Sequence, residues 1–139
     1  MHFPNYRPRR LRSNKLIRDL VQETQLTVKD LIMPLFVRPG SGIKKEILTM
    51  PGNYQFSVDT LVEEVKELAS LGIPGVILFG IPSCKNELGT EAYADDGIIQ
   101  QAVRAIKENV SDILVITDVC MCEYTDHGHC GFIKKDEKS

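Results

Sequence analysis

Three short apolar runs, separated by two segments with helical periodicity, constrain the fold of this chain more than any other feature. The runs lie at residues 31–37, 75–80 and 113–116. Their apolar residues are continuous rather than alternating, which is typical of parallel strands that are buried on both faces. We therefore expect an α/β fold in which helices connect the strands of a parallel sheet.

The two connecting segments each carry an apolar stripe at the spacing of an amphipathic helix. Ser57 is placed to cap the first helix, and Gly72 lies where a left-handed residue would end it. The stripes consist of Val58, Leu61, Val62, Val65, Leu68 and Ala69, and of Ile98, Ile99, Ala102, Val103, Ile106 and Val110. This order of elements fits an open doubly wound sheet or a (β/α)8 barrel, and both place chemistry at the carboxyl ends of strands.

The segments around this framework are less regular. Residues 1–12 combine prolines with a cluster of arginines and no apolar period, which fits a disordered tail or a limb that wraps a neighbouring subunit. Ser13 is placed to cap a short helix with Leu16, Ile17 and Leu20 at helical spacing. Pro34 interrupts the first strand and indicates an irregularity or an edge position. Residues 38–56 are expected to form a long loop that holds a small hairpin.

Composition and charge exclude several classes of function. The formal net charge is only −2, so neither nucleic acid nor an anionic membrane is an expected partner. No run approaches the roughly 18 apolar residues of a membrane span, and no signal peptide is recognised at the start. We expect a soluble, cytoplasmic protein. No glycine-rich dinucleotide motif or phosphate-binding loop follows any strand.

A cluster of cysteines follows the third strand and predicts a metal site. Cys120, Cys122 and Cys130 offer three soft ligands within eleven residues, and cysteines in a reducing compartment are more often ligands or catalytic groups than disulfides. Three thiolates would leave a fourth zinc position for water or substrate, whereas His127 or His129 would close the site as a structural zinc. Spacing alone does not choose between these alternatives.

Asp118 ends the third strand and is expected to lie at the same end of the sheet as the cysteines. It fits a carboxylate that holds a substrate amine or transfers a proton, and it equally fits a loop cap that bonds local amides. Cys84 and Lys85 lie in the loop after the second strand. We expect Cys84 to have no role in the site and the charge of Lys85 to be exposed to solvent.

The residues around these ligands resemble those of the porphobilinogen synthase family, also called delta-aminolevulinate dehydratase. The resemblance rests on TDVCMCEYTDHGHCG at residues 117–131, RPRRLR at 7–12, DLIMPLFV at 30–37, MPG at 50–52 and LFG at 78–80. It implies a (β/α)8 barrel with an N-terminal arm that embraces another subunit, usually in a homo-octamer. Residues 1–24 would then be the arm and short helix, and residues 25–139 would be the first three strands of an incomplete barrel.

The family resemblance also implies an activity and a set of site residues. Members condense two molecules of delta-aminolevulinate to porphobilinogen in haem and tetrapyrrole biosynthesis. By similarity, Cys120, Cys122 and Cys130 would bind Zn²⁺ at the site of the second substrate, and Asp118 would be an active-site carboxylate. An allosteric Mg²⁺ site, where a member has one, would lie outside this chain.

One departure from the family pattern affects the expected activity. The Schiff-base lysine and its companion belong to later strands of the barrel, and no lysine here matches their motifs. We therefore expect residues 1–139 alone to be inactive, since imine formation needs an activated amine. The alternatives are a non-catalytic zinc-binding or oligomerisation protein, and a small α/β domain with a structural zinc.

Overall fold

The computed structural model describes residues 8–134, which form one five-stranded sheet and its connections. In chain order the elements are α1 (Lys15–Leu20), β1 (Ile32–Val37), β2 (Lys44–Glu46), β3 (Tyr54–Phe56), α2 (Val58–Ser70), β4 (Gly75–Gly80), α3 (Ile98–Asn109) and β5 (Leu114–Thr117), with short 3-10 turns at Arg10–Arg12, Val28–Asp30 and Thr90–Ala92. Residues 1–7 of the predicted arm and the tail at 135–139 lie outside this range. The described part contains no helix with the length and apolar character needed to cross a membrane.

The three predicted strands are adjacent, parallel and in chain order. Residues 32–37 of β1 pair with 75–80 of β4, and 75–78 of β4 pair with 114–117 of β5. Both long helices contribute to one core against the same sheet face, with members Leu35, Val37, Val76, Leu78, Leu61, Val65, Ala102 and Ile106. When successive strands are added to the sheet in one direction, right-handed crossovers place all helices on one face. In a doubly wound sheet the direction of strand addition reverses, and helices cover both faces. The arrangement is that of the first units of a (β/α)8 barrel, and the sheet is open.

A small hairpin lies inside the long loop after β1, as predicted. β2 and β3 pair antiparallel, and β3 also pairs in parallel with Phe36 and Val37 at the end of β1. The sequence did not predict this second pairing. Pro34 pairs only toward β4, so it lies before the part of β1 that has neighbours on both sides. A residue without an N–H is tolerated there.

Helix capping differs in detail from the prediction. Asn14, not Ser13, caps α1, and its side-chain oxygen accepts the N–H of Ile17 at 3.0 Å. Ser13 is unsuited to the role because it has helical backbone angles at the end of the preceding 3-10 turn, whereas Asn14 is extended. Ser57 does precede α2, but its hydroxyl accepts the N–H of Ile43 in the hairpin loop instead of a helix N–H.

The strand that leads into the cysteines is less buried than its apolar sequence predicts. Ile113 is 4% exposed, but Leu114 is 65% exposed. The reason is that Leu114 lies on the sheet face opposite α2 and α3, which no element of residues 8–134 covers. Ile32, in register on the same face of β1, is likewise 53% exposed. Burial on both faces was therefore a wrong expectation for this strand as described.

Candidate metal centre

The candidate site forms where β4 and β5 end, because the carboxyl ends of parallel strands meet at one edge of the sheet. Asp118 follows β5 directly, and its N–H donates to the carbonyl of Leu78 at 3.4 Å, which extends the ladder by one residue. Beyond it, the N–H groups of Tyr124 and Thr125 both donate to the carbonyl of Met121, at 2.9 and 3.0 Å. This turn reverses the direction of the chain immediately after the first two cysteines.

The turn brings the three predicted cysteines together. The Sγ atom of Cys120 lies 2.8 Å from that of Cys122 and 3.1 Å from that of Cys130, and all three sulfurs lie within 4.8 Å of one another. Zinc–sulfur bonds of about 2.3 Å in a tetrahedron separate sulfurs by roughly 3.8 Å. Small outward movements of the thiols would therefore accommodate the ion. Within residues 8–134, this is the one cluster of three or more potential metal ligands.

The thiols influence one another electrostatically. Contacts with the sulfurs of Cys122 and Cys130 raise the pKa of Cys120 to about 12. The pKa of Cys130 is lowered, first by the hydrogen bond from Cys120 and then by the backbone N–H groups of Cys122 and Met121. Without a metal, Cys120 therefore holds its proton more tightly than an ordinary thiol, and Cys130 releases its proton more readily. A divalent cation would remove this difference, because it binds all three sulfurs as thiolates.

The two histidines of the loop are not part of the sulfur cluster. The Nδ1 atom of His127 accepts the N–H of His129 at 3.2 Å, and its Nε2 atom lies 3.3 Å from the carbonyl of Glu87. Both contacts are satisfied together by a neutral ring with the proton on Nε2. The ring of His129 stacks on that of His127 with 5.8 Å between centroids. His127 is therefore occupied in fixing the loop, which disfavours it as a fourth zinc ligand.

The other cysteine and the lysine beside it, Cys84 and Lys85, are both exposed. Cys84 lies outside the cluster. Its thiol donates a hydrogen bond to the carbonyl of Lys85, at 3.7 Å.

A cavity of about 590 Å³ adjoins the sulfurs and is lined by both Asp118 and Cys120. Its remaining wall is mainly apolar and includes Ile99, Val103 and Tyr124. Burial, followed by the charge of Glu123, raises the pKa of Tyr124 to about 12, so the phenol stays neutral at physiological pH. The cavity thus combines one carboxylate, one potential metal ligand and Arg104 with walls that are mainly apolar, which is typical of small-molecule sites.

The contacts that support the loop were missed by the sequence analysis. Residue 86 pairs with residue 125 as an isolated parallel bridge, through the N–H of Asn86 to the carbonyl of Tyr124 and the N–H of Asp126 to the carbonyl of Asn86. The side-chain oxygen of Asn86 also accepts the N–H groups of Leu88 and Thr90. The loop after β4 therefore supports the segment at residues 118–131, which carries the three cysteines and is called the metal loop below. Backbone contacts of this kind leave no side-chain signal in the sequence.

Comparisons with known proteins agree with the fold. A sequence model of the delta-aminolevulinic acid dehydratase family matches residues 5–139. The delta-aminolevulinic acid dehydratase of Synechococcus elongatus is 53% identical over 99% of this chain and 42% of its own length. The protein of the same name from Synechocystis sp. is 54% identical over 95% of this chain and 40% of its own length.

A solved structure shows the same likeness in three dimensions. The delta-aminolevulinic acid dehydratase (porphobilinogen synthase) of Toxoplasma gondii ME49, in complex with the reaction product porphobilinogen, matches with a TM-score of 0.82 and 38% identity. The match covers 96% of this chain and 38% of that protein. The chain thus spans about two fifths of the length of the relatives it matches. The family match over nearly all of its residues shows that this chain belongs to the delta-aminolevulinic acid dehydratase family.

Proposed function

We propose that this chain supplies the metal-binding part of a porphobilinogen synthase active site. The enzyme would be a lyase that condenses two molecules of delta-aminolevulinate to porphobilinogen for haem and tetrapyrrole biosynthesis. The observation that carries the proposal is the cluster of three sulfurs, one of which, that of Cys120, belongs to a residue that lines the same cavity as Asp118. Family membership and a structural relative that holds porphobilinogen support the choice of reaction.

The proposed cofactor is Zn²⁺, held by Cys120, Cys122 and Cys130. Soft thiolates favour zinc over magnesium or calcium, and three protein ligands leave one position for substrate. When bound there, zinc would orient and polarise the carbonyl or amine of the second delta-aminolevulinate. Three thiolates give the site a formal charge of −1, which makes the ion a weak Lewis acid and suits orientation better than hydroxide formation.

Asp118 is the proposed catalytic carboxylate. Its position at the end of β5 puts it on the wall that it shares with Cys120, where it would hold the substrate ammonium by a charge-assisted hydrogen bond. The same oxygen would accept the proton that the amine loses before it reacts. The apolar side chains of Ile99 and Val103 line the same cavity and would limit the access of water to this proton transfer.

The proposal is tested by separating metal binding from catalysis in the protein as encoded. We expect Asp118→Asn to lower the rate of porphobilinogen formation by about 10²–10⁴-fold and to retain zinc. Cys122→Ser should lose both the activity and the bound zinc. Asp112→Asn is the matched control, because this exposed aspartate lies just before the opposite end of β5, and it should keep both.

An Asp118→Asn variant with the unchanged rate would contradict the catalytic role. A Cys122→Ser variant with unchanged zinc would contradict the ligand set. A polypeptide of residues 1–139 alone should form no porphobilinogen above background with zinc and delta-aminolevulinate, since none of its lysines matches the Schiff-base motifs. Product formation by that polypeptide would show that the lysine assignment is wrong.

A second candidate is a zinc-binding or oligomerisation protein without catalysis. It is favoured by one observation, since the described residues bring the sulfurs together through their own loop contacts. This candidate predicts that the protein binds about one zinc per chain and that no catalysis depends on Asp118. The comparison of variants above therefore separates the two candidates.

We also propose that residues 1–24 form an arm that packs against another copy in a homo-octamer, with residues 25–139 as the barrel part. The support is that Leu16 and Leu20 on α1 are 80% and 85% exposed, which is costly unless another surface covers them. Leu16→Glu should reduce the assembly size measured by light scattering, while Leu71→Glu, at an exposed leucine after α2, should not. Unchanged size for both would contradict the arm. The free cysteines suit a reducing compartment, so we propose that the protein acts in the cytoplasm.

A further inference from the structure

The sulfur of Cys130 lies beside the other two because residues 125–131 turn back on themselves and are closed by hydrogen bonds. The hydroxyl of Thr125 donates to the carbonyl of His129 at 3.0 Å, and the N–H of Gly131 donates to the same carbonyl at 3.1 Å. Thr125 is 2% exposed and His129 is exposed, so the hydrogen bond between them is partly buried. The carbonyl that this hydroxyl holds belongs to the residue immediately before Cys130.

Thr125 is itself fixed from three directions. Its N–H donates to the carbonyl of Met121, and its backbone is bridged to Asn86. Its methyl group packs toward Gly89, where a Cβ atom would lie 3.3 Å from the Thr125 Cγ2 atom. Gly89 has a φ of +59°, a conformation that glycine adopts without strain. Thr125 therefore connects the loop after β4 to the chain segment that carries the third sulfur.

We propose that Thr125 is a positioning residue for the metal, acting through the carbonyl of His129 to hold the sulfur of Cys130 beside those of Cys120 and Cys122. The inference rests on the proposed zinc site and deepens it. Cys120 and Cys122 lie before the turn at Met121 or within it, so they do not depend on this hydrogen bond. Cys130 follows the mostly exposed return at residues 126–130, so the hydrogen bond to the carbonyl of His129 adds to the contacts that the N–H groups of Cys122 and Met121 make with its sulfur.

The side chain of Thr125 allows its two contacts to be removed separately. Thr125→Val keeps the methyl contact with Gly89 and removes the hydroxyl, whereas Thr125→Ser keeps the hydroxyl and removes the methyl group. Thr60→Val is the matched control outside the site. The Thr60 hydroxyl likewise donates to a backbone carbonyl, that of Ile43, in the hairpin region.

The experiment measures zinc affinity by competition with a chromophoric chelator, using the protein as encoded. We expect Thr125→Val to weaken zinc binding by about 10–100-fold, the usual effect of losing a group that orients a ligand. Thr125→Ser should stay within about threefold of the parent protein, and Thr60→Val should not change affinity. With Co²⁺ in place of zinc, the thiolate-to-cobalt absorption of Thr125→Val should fall from that of three sulfurs to that of two.

The outcomes distinguish this inference from the proposed function. If the parent protein binds no zinc through its cysteines, the proposed metal site fails. If it binds zinc but Thr125→Val keeps both the affinity and the three-thiolate absorption, the positioning role fails while the metal site stands. Circular dichroism of the metal-free variants detects any general loss of structure. If Thr125→Val does not fold, Thr125→Ala removes the hydroxyl with less bulk and is compared with Thr125→Ser in the same way.

Discussion

Gly80, at the end of β4, lies close to Tyr124 in the loop that carries the cysteines, and Gly80→Ala perturbs this contact directly. A Cβ atom at residue 80 would lie 2.9 Å from the Cγ1 atom of Ile99 and 3.2 Å from the Cζ atom of Tyr124, and closer still to the Tyr124 hydroxyl. Ordinary contacts of a Cβ atom begin at 3.4 Å. The tyrosine would therefore have to move by on the order of 1 Å, because overlap of this kind cannot be absorbed in a packed interior.

The cost follows from the overlap. Introducing a methyl group into a close-packed site typically destabilises by about 1–3 kcal/mol, which for a domain of this size lowers Tm by roughly 4 °C per kcal/mol. Because Tyr124 lies two residues after Cys122, we also expect weaker zinc binding. Urea unfolding and chelator competition measure the two effects separately.

Two further variants make the reasoning specific. Tyr124→Phe removes the nearest atom, so Gly80→Ala combined with Tyr124→Phe should be more stable than the sum of the single changes by about 1 kcal/mol. Gly75→Ala is the control in the same strand, where the new Cβ atom would meet the Cβ atom of Leu114 at 3.3 Å, far from the metal loop. A Gly80→Ala protein as stable as the parent, or a double variant that recovers nothing, would refute the proposed steric cause.

Two other predictions concern titrating groups. The pKa of Asp59 is lowered to about 2, mainly by the Ser57 hydroxyl and then by the N–H of Gly42; its stabilising effect is therefore full above the unfolded pKa near 4 and is lost as the pH falls toward 2. Asp59→Asn should reduce stability at pH 7, and urea unfolding should show the gap to the parent closing between about pH 4 and 2; a constant gap would contradict this. In metal-free protein the lowered pKa of exposed Cys130 and the raised pKa of Cys120 predict that iodoacetamide modifies Cys130 first, and peptide mass spectrometry would contradict this by finding Cys120 modified first.

The elements that sequence reasoning predicted correctly are those in which the spacing of apolar side chains follows from their burial in the core. The stripes of α2 and α3 match the buried residues Leu61, Val65, Ala102 and Ile106, because helical spacing and burial have the same physical cause. The alternation of strands and helices predicted a parallel sheet, and the family resemblance, not the pattern itself, favoured the barrel over a doubly wound sheet. The three cysteines were recognisable because ligand chemistry restricts the residue types that serve.

The parts that were not predicted depend on relations between distant backbone segments. The pairing of β3 with β1 involves only two residues on each strand, which is too short to produce a periodic signal. The exposure of Leu114 depends on whether the sheet face opposite the helices is covered, not on its own sequence. The support of the metal loop by Asn86 and Thr125 joins segments almost forty residues apart, and polar loop residues gave no indication of that contact.

The central claim is that Cys120, Cys122 and Cys130 together form one metal site beside Asp118. X-ray absorption at the zinc edge of the purified, zinc-loaded protein tests it most directly, because it counts the sulfur neighbours of the ion. The account predicts about one zinc per chain with three sulfurs at about 2.3 Å and one lighter atom in the fourth position. A zinc shell with two or fewer sulfurs, or a protein that retains no zinc at neutral pH, would contradict it.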